Sequence, residues 1–251
     1  MLIILSGCEK QKSYEDLMKE FQDHLDDRHE LYTERLDFFN TASTQTIKTL
    51  VMVNVSITPT NKSVRASGVI YKDTATHYYV LTNHHVVHVQ ENENATYRVQ
   101  DYQGNLYQAT LISSDPAYDL AILRFSKSLI PLDAITFSET DAIKNDSIII
   151  MGYPNMRMVS ITMGNVINYS LINISHINET LIDIKFEVIT TFAPVNFGSS
   201  GSLVINQNLE LIGIVYSAFI PTHAKVSEVT LIIPVSKVME YLHLYQGGDF
   251  Q

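Results

Sequence analysis

Three short segments of this 251-residue chain carry side chains capable of nucleophilic chemistry, in the order histidine, aspartate, serine. Val80-Leu81-Thr82-Asn83-His84-His85-Val86-Val87 reads as a strand running into a short turn that bears histidine. Asp115-Pro116-Ala117-Tyr118-Asp119-Leu120-Ala121-Ile122-Leu123 sets an acid directly ahead of an apolar strand. Asn196-Phe197-Gly198-Ser199-Ser200-Gly201-Ser202-Leu203-Val204 is a Gly/Ser-rich turn entering a strand. A serine hydroxyl is a poor nucleophile until a base takes its proton, and an imidazole does this near neutral pH. A carboxylate behind the imidazole fixes its tautomer and stabilises the imidazolium. The oxyanion of a tetrahedral intermediate needs backbone N–H donors, which a glycine-containing turn can aim without side-chain obstruction. Each segment alone is common. Together and in this order they point to acyl transfer.

The elements that must position these residues read as β-structure. From Ile47 onward, short β-branched runs alternate with turn residues: Leu50 to Ile57, Gly68 to Tyr71, Tyr78 to Thr82, Leu120 to Phe125, Ser147 to Met151, Leu181 to Val188, Ser202 to Ile205, Leu211 to Tyr216 and Val229 to Ile233. The intervals are too short for the crossover helices of a parallel sheet, so an all-β architecture is expected. Val235 to Leu244 reads as a closing helix. Residues 12–39 also carry a helical period, with Leu17, Phe21, Leu25 and Tyr32 on one face and mostly acidic residues on the other. That helix suits a spacer on the main domain, or a surface for self-association or a partner.

The three segments resemble the trypsin-like serine peptidases of bacteria, of the HtrA/DegP type. The likeness runs from Lys48 to Leu244. It includes Ser67-Gly68-Val69-Ile70, Leu81 to Val87, Asp119 to Leu123, Thr191 to Gly201, Leu211-Ile212-Gly213-Ile214 and Ile233-Pro234-Val235-Ser236. It implies two antiparallel β-barrels with the site in the cleft between them. Residues 46–251 then form the peptidase domain, with lobe 1 at about 46–130, lobe 2 at about 140–234 and a closing helix at 235–244. Carried onto this chain, the motif makes His85 the base, with His84 the runner-up, Asp119 the acid and Ser200 the nucleophile. Asp115 reads as a turn residue, since Asp-Pro suits turn initiation. The oxyanion donors are the N–H groups of Gly198 and Ser200, with that of Ser199 nearby.

Departures from the family pattern narrow the expectation. Ser202-Leu203 stands where Gly-Pro or Ser-Pro is usual, Phe197 replaces a common proline, and Phe192 replaces a common aspartate. Ser199 precedes the nucleophile where digestive-type relatives have the aspartate that receives a newly freed amine, so no activation of that kind is expected. Val215 stands where glutamate-specific relatives have histidine. Pro194, Val195, Val215, Tyr216 and Ser217 suggest an uncharged primary pocket for a small or medium apolar residue. Many relatives continue into a peptide-binding PDZ domain. None is expected in the few residues after the closing helix.

Composition excludes other classes. Hydrophobic residues make up 45% and charged residues 18%, which fits a packed domain. Lys+Arg number 17 against 27 Asp+Glu, for a net charge of -10 with no basic cluster, so nucleic acid is not an expected partner. A single cysteine, Cys8, rules out a disulfide framework and zinc sites built on several thiolates. The histidines show no metal-ligand spacing. No metal and no cofactor are expected.

Residues 1–8, Met1-Leu2-Ile3-Ile4-Leu5-Ser6-Gly7-Cys8, resemble the end of a secretory signal with a bacterial lipobox. That likeness implies acylation of Cys8 and an extracytoplasmic, membrane-anchored protein. Residues 9–45 would be an acidic helix and linker between anchor and domain. The combined expectation is a serine endopeptidase acting on proteins or peptides. Two alternatives stand beside it: a protease-fold binding or sensor lipoprotein without activity, and a hydrolase of esters or cell-wall amides using the same triad.

Overall fold

The computed structural model describes residues 13–127, 130–154, 158–177, 179–220 and 227–245. The chain divides into two units, Met1–Thr41 and Ala42–Gln251. Helix α1 (Tyr14–Gln45) crosses that division. It begins with a reciprocal cap: the Asp16 N–H donates to Ser13 Oγ at 3.1 Å, and the Ser13 N–H to Asp16 Oδ2 at 3.1 Å. The Ser13 hydroxyl, which donates to Asp16 Oδ2 at 2.7 Å, and then the Ser13 N–H hold the Asp16 carboxyl below its usual range. The helix extends six residues past the expected end at 39, because Asn40 to Gln45 lose the apolar period but contain no glycine or proline to stop the turn. Leu17, Phe21, Leu25, Leu31, Tyr32 and Leu36 are exposed.

The second unit is built from two closed antiparallel barrels. The first contains β1 (Leu50–Thr58), β2 (Lys62–Asp73), β3 (His77–Thr82), β4 (Asn94–Gln100), β5 (Leu106–Asp115) and β6 (Leu120–Ser126). A single-turn helix, α2 (His84–Val87), follows β3. The strand order is β1-β2-β3-β6-β5-β4, and β1 closes the barrel by pairing with both β2 and β4. The second barrel contains β7 (Ser147–Gly152), β8 (Ser160–Ser170), β11 (Val188–Thr191), β12 (Leu203–Ile205), β13 (Leu211–Phe219) and β14 (Val229–Pro234), in the order β11-β14-β13-β12-β7-β8. The strands β9 (His176–Ile177) and β10 (Thr180–Leu181) form a separate hairpin. Closure removes the sheet edges that would otherwise template aggregation.

Each barrel has its own core. Val51, Val53, Ile70, Val80, Leu123 and Phe125 fill the first, and Ile148, Ile150, Ile189, Val204, Ile212 and Ile232 the second. Full burial of each such side chain stabilises the fold by about 1.5–3 kcal/mol. Helix α3 (Val235–Tyr245) follows β14 directly. It ties the barrels together through tyrosine hydroxyls. Tyr241 donates to Ser113 Oγ at 3.0 Å and Tyr245 to Asp115 Oδ2 at 2.8 Å, both acceptors lying on β5.

One expected strand is corrected. Residues 182–187 leave the ladder between β10 and β11, although Ile182, Ile184, Phe186 and Val188 alternate as a strand would. Their amides go elsewhere: Ile182 N–H to Ser175 O at 2.9 Å and Asp183 N–H to Pro116 O at 2.9 Å. Alternation reports which side chains face inward, and here the backbone partners are loops.

Candidate active site

The pairing of β3 with β6 sets the first half of the site. Thr82 lies opposite Ala121, so the turn after β3 and the residue before β6 meet at one end of the first barrel. Asp119 sits there with φ 49°, a left-handed conformation that aspartate tolerates better than most residues. Asn83 Nδ2 donates to the Asp119 carbonyl at 2.9 Å and steadies it. The His85 backbone N–H donates to Asp119 Oδ1 at 3.0 Å, which locks the carboxylate to the start of α2.

The second half is the turn before β12. The Gly201 N–H donates to Val215 O at 2.9 Å, and the Ser67 N–H of β2 donates to Ser200 O at 2.8 Å. Gly201 has φ 81°, and a Cβ there would sit 2.0 Å from Ser67 O, so only glycine fits the crossing. Gly198 also has positive φ, at 91°. The turn thus rests on its own barrel on one side and on β2 of the other barrel on the other.

These two halves bring His85, Asp119 and Ser200 into one line. His85 Nδ1 lies 2.8 Å from Asp119 Oδ2, and His85 Nε2 lies 2.9 Å from Ser200 Oγ. Asp119 is fully buried and His85 nearly so. An ionised carboxylate only accepts hydrogen bonds, so Nδ1 carries the proton and Nε2 presents a lone pair to the serine hydroxyl. This arrangement can remove the Ser200 proton while the buried charge of Asp119 stabilises the imidazolium that forms. Tyr216 packs close by. Its hydroxyl is buried without a hydrogen-bond partner among the described residues, and burial together with the Asp119 charge holds it far above the usual phenol range. It stays neutral beside the carboxylate.

His84 takes another direction. Its Nδ1 meets Ser114 Oγ at 2.7 Å and its ring lies 4.9 Å from that of His88. Burial pushes its pKa down to about 4. Asp115 lies at the end of β5, where its Oδ1 accepts from the Ala117 N–H at 2.8 Å, a turn-type bond.

Among the described residues, the N–H groups of Gly198 and Ser200 donate to no protein acceptor, whereas the Ser199 N–H donates to Asn196 O at 3.0 Å. The expected third oxyanion donor is therefore turned away from the cleft by its own turn. The cleft beside Ser200 has a volume of about 160 Å³, with walls that include Val195, Val215, Tyr216, Ser217 and Ala218. Pro194 does not join them. It lines a neighbouring cavity with Ile150, Pro154 and Thr162, because the chain passes between the two hollows at Val195. Cys8 lies outside the described residues. No group of histidine, cysteine and carboxylate side chains suited to a metal ion occurs among the described residues.

Sequence reasoning gave no role to Asn83, Tyr153 or the Ser67 hydroxyl. Ser67 and Asn83 lay inside recognised motifs, but short polar side chains reveal their work only once the strands cross.

The model of the trypsin-like peptidase domain matches residues 66–214. Curated relatives are named for the same chemistry. A probable periplasmic DegP-like serine endoprotease of Chlamydia trachomatis is 31% identical over 61% of this chain and 28% of its own length. The Do-like serine protease HtrB of Bacillus subtilis is 30% identical over 59% and 31%. The periplasmic serine endoprotease DegP of Escherichia coli K12 is 33% identical over 54% and 27%. The chain thus spans less than a third of the length of these relatives. Among solved structures, the active form of the Rv3671c protease of M. tuberculosis superposes with a TM-score of 0.69, at 23% identity over 84% of this chain and 86% of that one. The HtrA-type protease AlgW with tripeptide gives a TM-score of 0.64 at 25% identity, over 81% and 63%. These likenesses extend across both barrels.

Proposed function

The chain belongs to the trypsin-like peptidase domain family, and from that premise we propose that it is a serine endopeptidase that hydrolyses peptide bonds through an acyl-enzyme. The observation that carries this reading is the single imidazole bridging Asp119 at 2.8 Å and Ser200 at 2.9 Å. Ser200 Oγ attacks the scissile carbonyl carbon as His85 Nε2 takes its proton. Gly198 and Ser200 N–H groups receive the oxyanion. His85 then returns the proton to the leaving amine, the C–N bond breaks, and an ester of Ser200 remains. Water, deprotonated by His85, hydrolyses that ester and restores the hydroxyl.

Val195, Val215 and Ala218 on the second-barrel wall of the cleft support a preference for a small or medium apolar residue before the scissile bond, while Arg65 brings a cation to the first-barrel wall. The reading extends to an extracytoplasmic setting. It is supported by relatives named periplasmic and by the lipobox-like Leu5-Ser6-Gly7-Cys8, with Cys8 as the acylated residue.

A fluorophosphonate probe tests the function directly. We expect covalent labelling at Ser200, loss of labelling in Ser200→Ala, and cleavage of a peptide library after apolar residues by the wild type only. A folded wild type that neither labels nor cleaves would favour the alternative, a binding or sensor protein on a protease fold. Labelling with ester turnover but no peptide cleavage would favour an esterase or amidase.

A further inference from the structure

We infer that Ser67, on β2 of the first barrel, is a positioning residue for the oxyanion turn of the second barrel. The inference rests on the proposed peptidase reading and assigns a further residue to that same site.

Ser67 is buried, and each of its polar atoms is engaged. Its backbone N–H donates to Ser200 O at 2.8 Å, and its carbonyl accepts from Thr82 Oγ1 at 2.8 Å. Its hydroxyl donates to Gly198 O at 2.9 Å while accepting from the Tyr153 N–H at 2.8 Å and from Ser202 Oγ at 3.1 Å. One hydroxyl supplies one hydrogen and two lone pairs, so this side chain is saturated and its direction is fixed. The Tyr153 and Ser202 bonds use both lone pairs and leave the proton aimed at Gly198.

The two carbonyls that Ser67 holds belong to Gly198 and Ser200, the two proposed oxyanion donors, whose N–H groups donate to no acceptor among the described residues. Holding Ser200 O fixes the nucleophile's own backbone. Holding Gly198 O fixes the 198–199 peptide, whose N–H is pinned at the other end to Asn196 O. Rotation of that peptide would break both bonds and release the backbone on one side of Gly198, whose N–H lies in the preceding peptide. Gly198 has φ 91° and resists such rotation little by itself, since glycine crosses backbone space freely. The restraint comes from the other barrel. Ser67 touches neither the substrate nor the reacting atoms. It acts through the donors, so it contributes to the transition state and not to ground-state binding.

The test compares wild type with Ser67→Ala using a succinylated tetrapeptide p-nitroanilide ending in valine. It also compares the affinities of a peptide aldehyde ending in valinal and of the matching carboxylate product. Loss of a whole oxyanion donor costs about 10²–10³ in kcat; loosening one should cost roughly 10–100-fold. We expect kcat to fall by that factor with KM nearly unchanged. Aldehyde affinity, which needs the oxyanion donors, should fall in parallel, while product affinity and the pH midpoint of kcat/KM stay put. Should Ser67→Ala not fold, Ser67→Cys, whose thiol is a weaker donor, carries the same comparison. An active wild type whose Ser67 variant keeps its kcat, or loses kcat without losing aldehyde affinity, overturns the role of Ser67 alone. A folded wild type inert to both substrate and fluorophosphonate overturns the peptidase reading and this inference with it.

Discussion

His84 and His85 are consecutive, yet their Nδ1 atoms answer to different partners: Ser114 Oγ at 2.7 Å for His84 and Asp119 Oδ2 at 2.8 Å for His85. The single turn of α2 sends one ring toward the end of β5 and the other toward the turn that bears Ser200. Only His85 has both an acid behind it and a hydroxyl ahead of it.

That difference separates the two variants in kinetics. His85→Ala should lower kcat by roughly 10⁴-fold or more, as for the loss of a triad base. His84→Asn, which keeps a polar atom near the Nδ1 position, should leave kcat within a few-fold of wild type. Steady-state assays on a p-nitroanilide substrate decide this, with circular dichroism to check that both variants fold. Equal losses would assign the base wrongly.

The same neighbour makes stability depend on pH. Buried among the β5 and β6 ends, His84 titrates at about 4, while the unfolded side chain titrates near 6.5. Burial is the main cause; His88 and His85 add to it, and Asp119 and Asp115 oppose it. Between pH 6.5 and 4 the unfolded chain takes up a proton that the folded chain refuses. Stability from this group is therefore complete above 6.5 and declines as pH falls to 4, by up to roughly 3 kcal/mol. Urea midpoints measured from pH 7 to 4 should fall more steeply for wild type than for His84→Asn. Parallel slopes would refute the assignment.

Gly198→Ala tests the oxyanion turn. At φ 91° an alanine is strained, and relief of that strain reorients the adjoining N–H. We expect kcat to drop about 10²–10³-fold with a melting temperature close to wild type. An alanine variant with full turnover would show that the Gly198 N–H is not a donor.

Cys8→Ser tests the anchor. In the protein expressed with its native upstream region, wild type should sediment with membranes and Cys8→Ser should become soluble while keeping its peptidase activity. A wild type found wholly in the soluble fraction removes the lipid from the reading and leaves the triad untouched.

The sequence made the chemistry more legible than the scaffold. The histidine, aspartate and serine segments are local patterns, each tied to a strand end, and their order survives without any three-dimensional information. The choice of His85 over His84 needed the family likeness, because both rings are imidazoles on one short turn. Strands β4, β5 and β8 escaped notice because each has a single fully buried residue and no apolar run: Asn94–Gln100 reads NATYRVQ, Leu106–Asp115 reads LYQATLISSD and Ser160–Ser170 reads SITMGNVINYS. Their strand character comes from neighbours that close the barrels. The role of Ser67 was hidden for a related reason. Its partners, Gly198, Tyr153 and Ser202, lie far away along the chain, and no short window contains them.

Helix α3 gives the assembly a direction in time. Its tyrosines fasten to Ser113 and Asp115, just ahead of the turn that carries Asp119. A ribosome makes that turn early and the fastening helix last among the described elements. A growing chain therefore holds Asp119, His85 and Ser200 before it holds this clasp between their barrels.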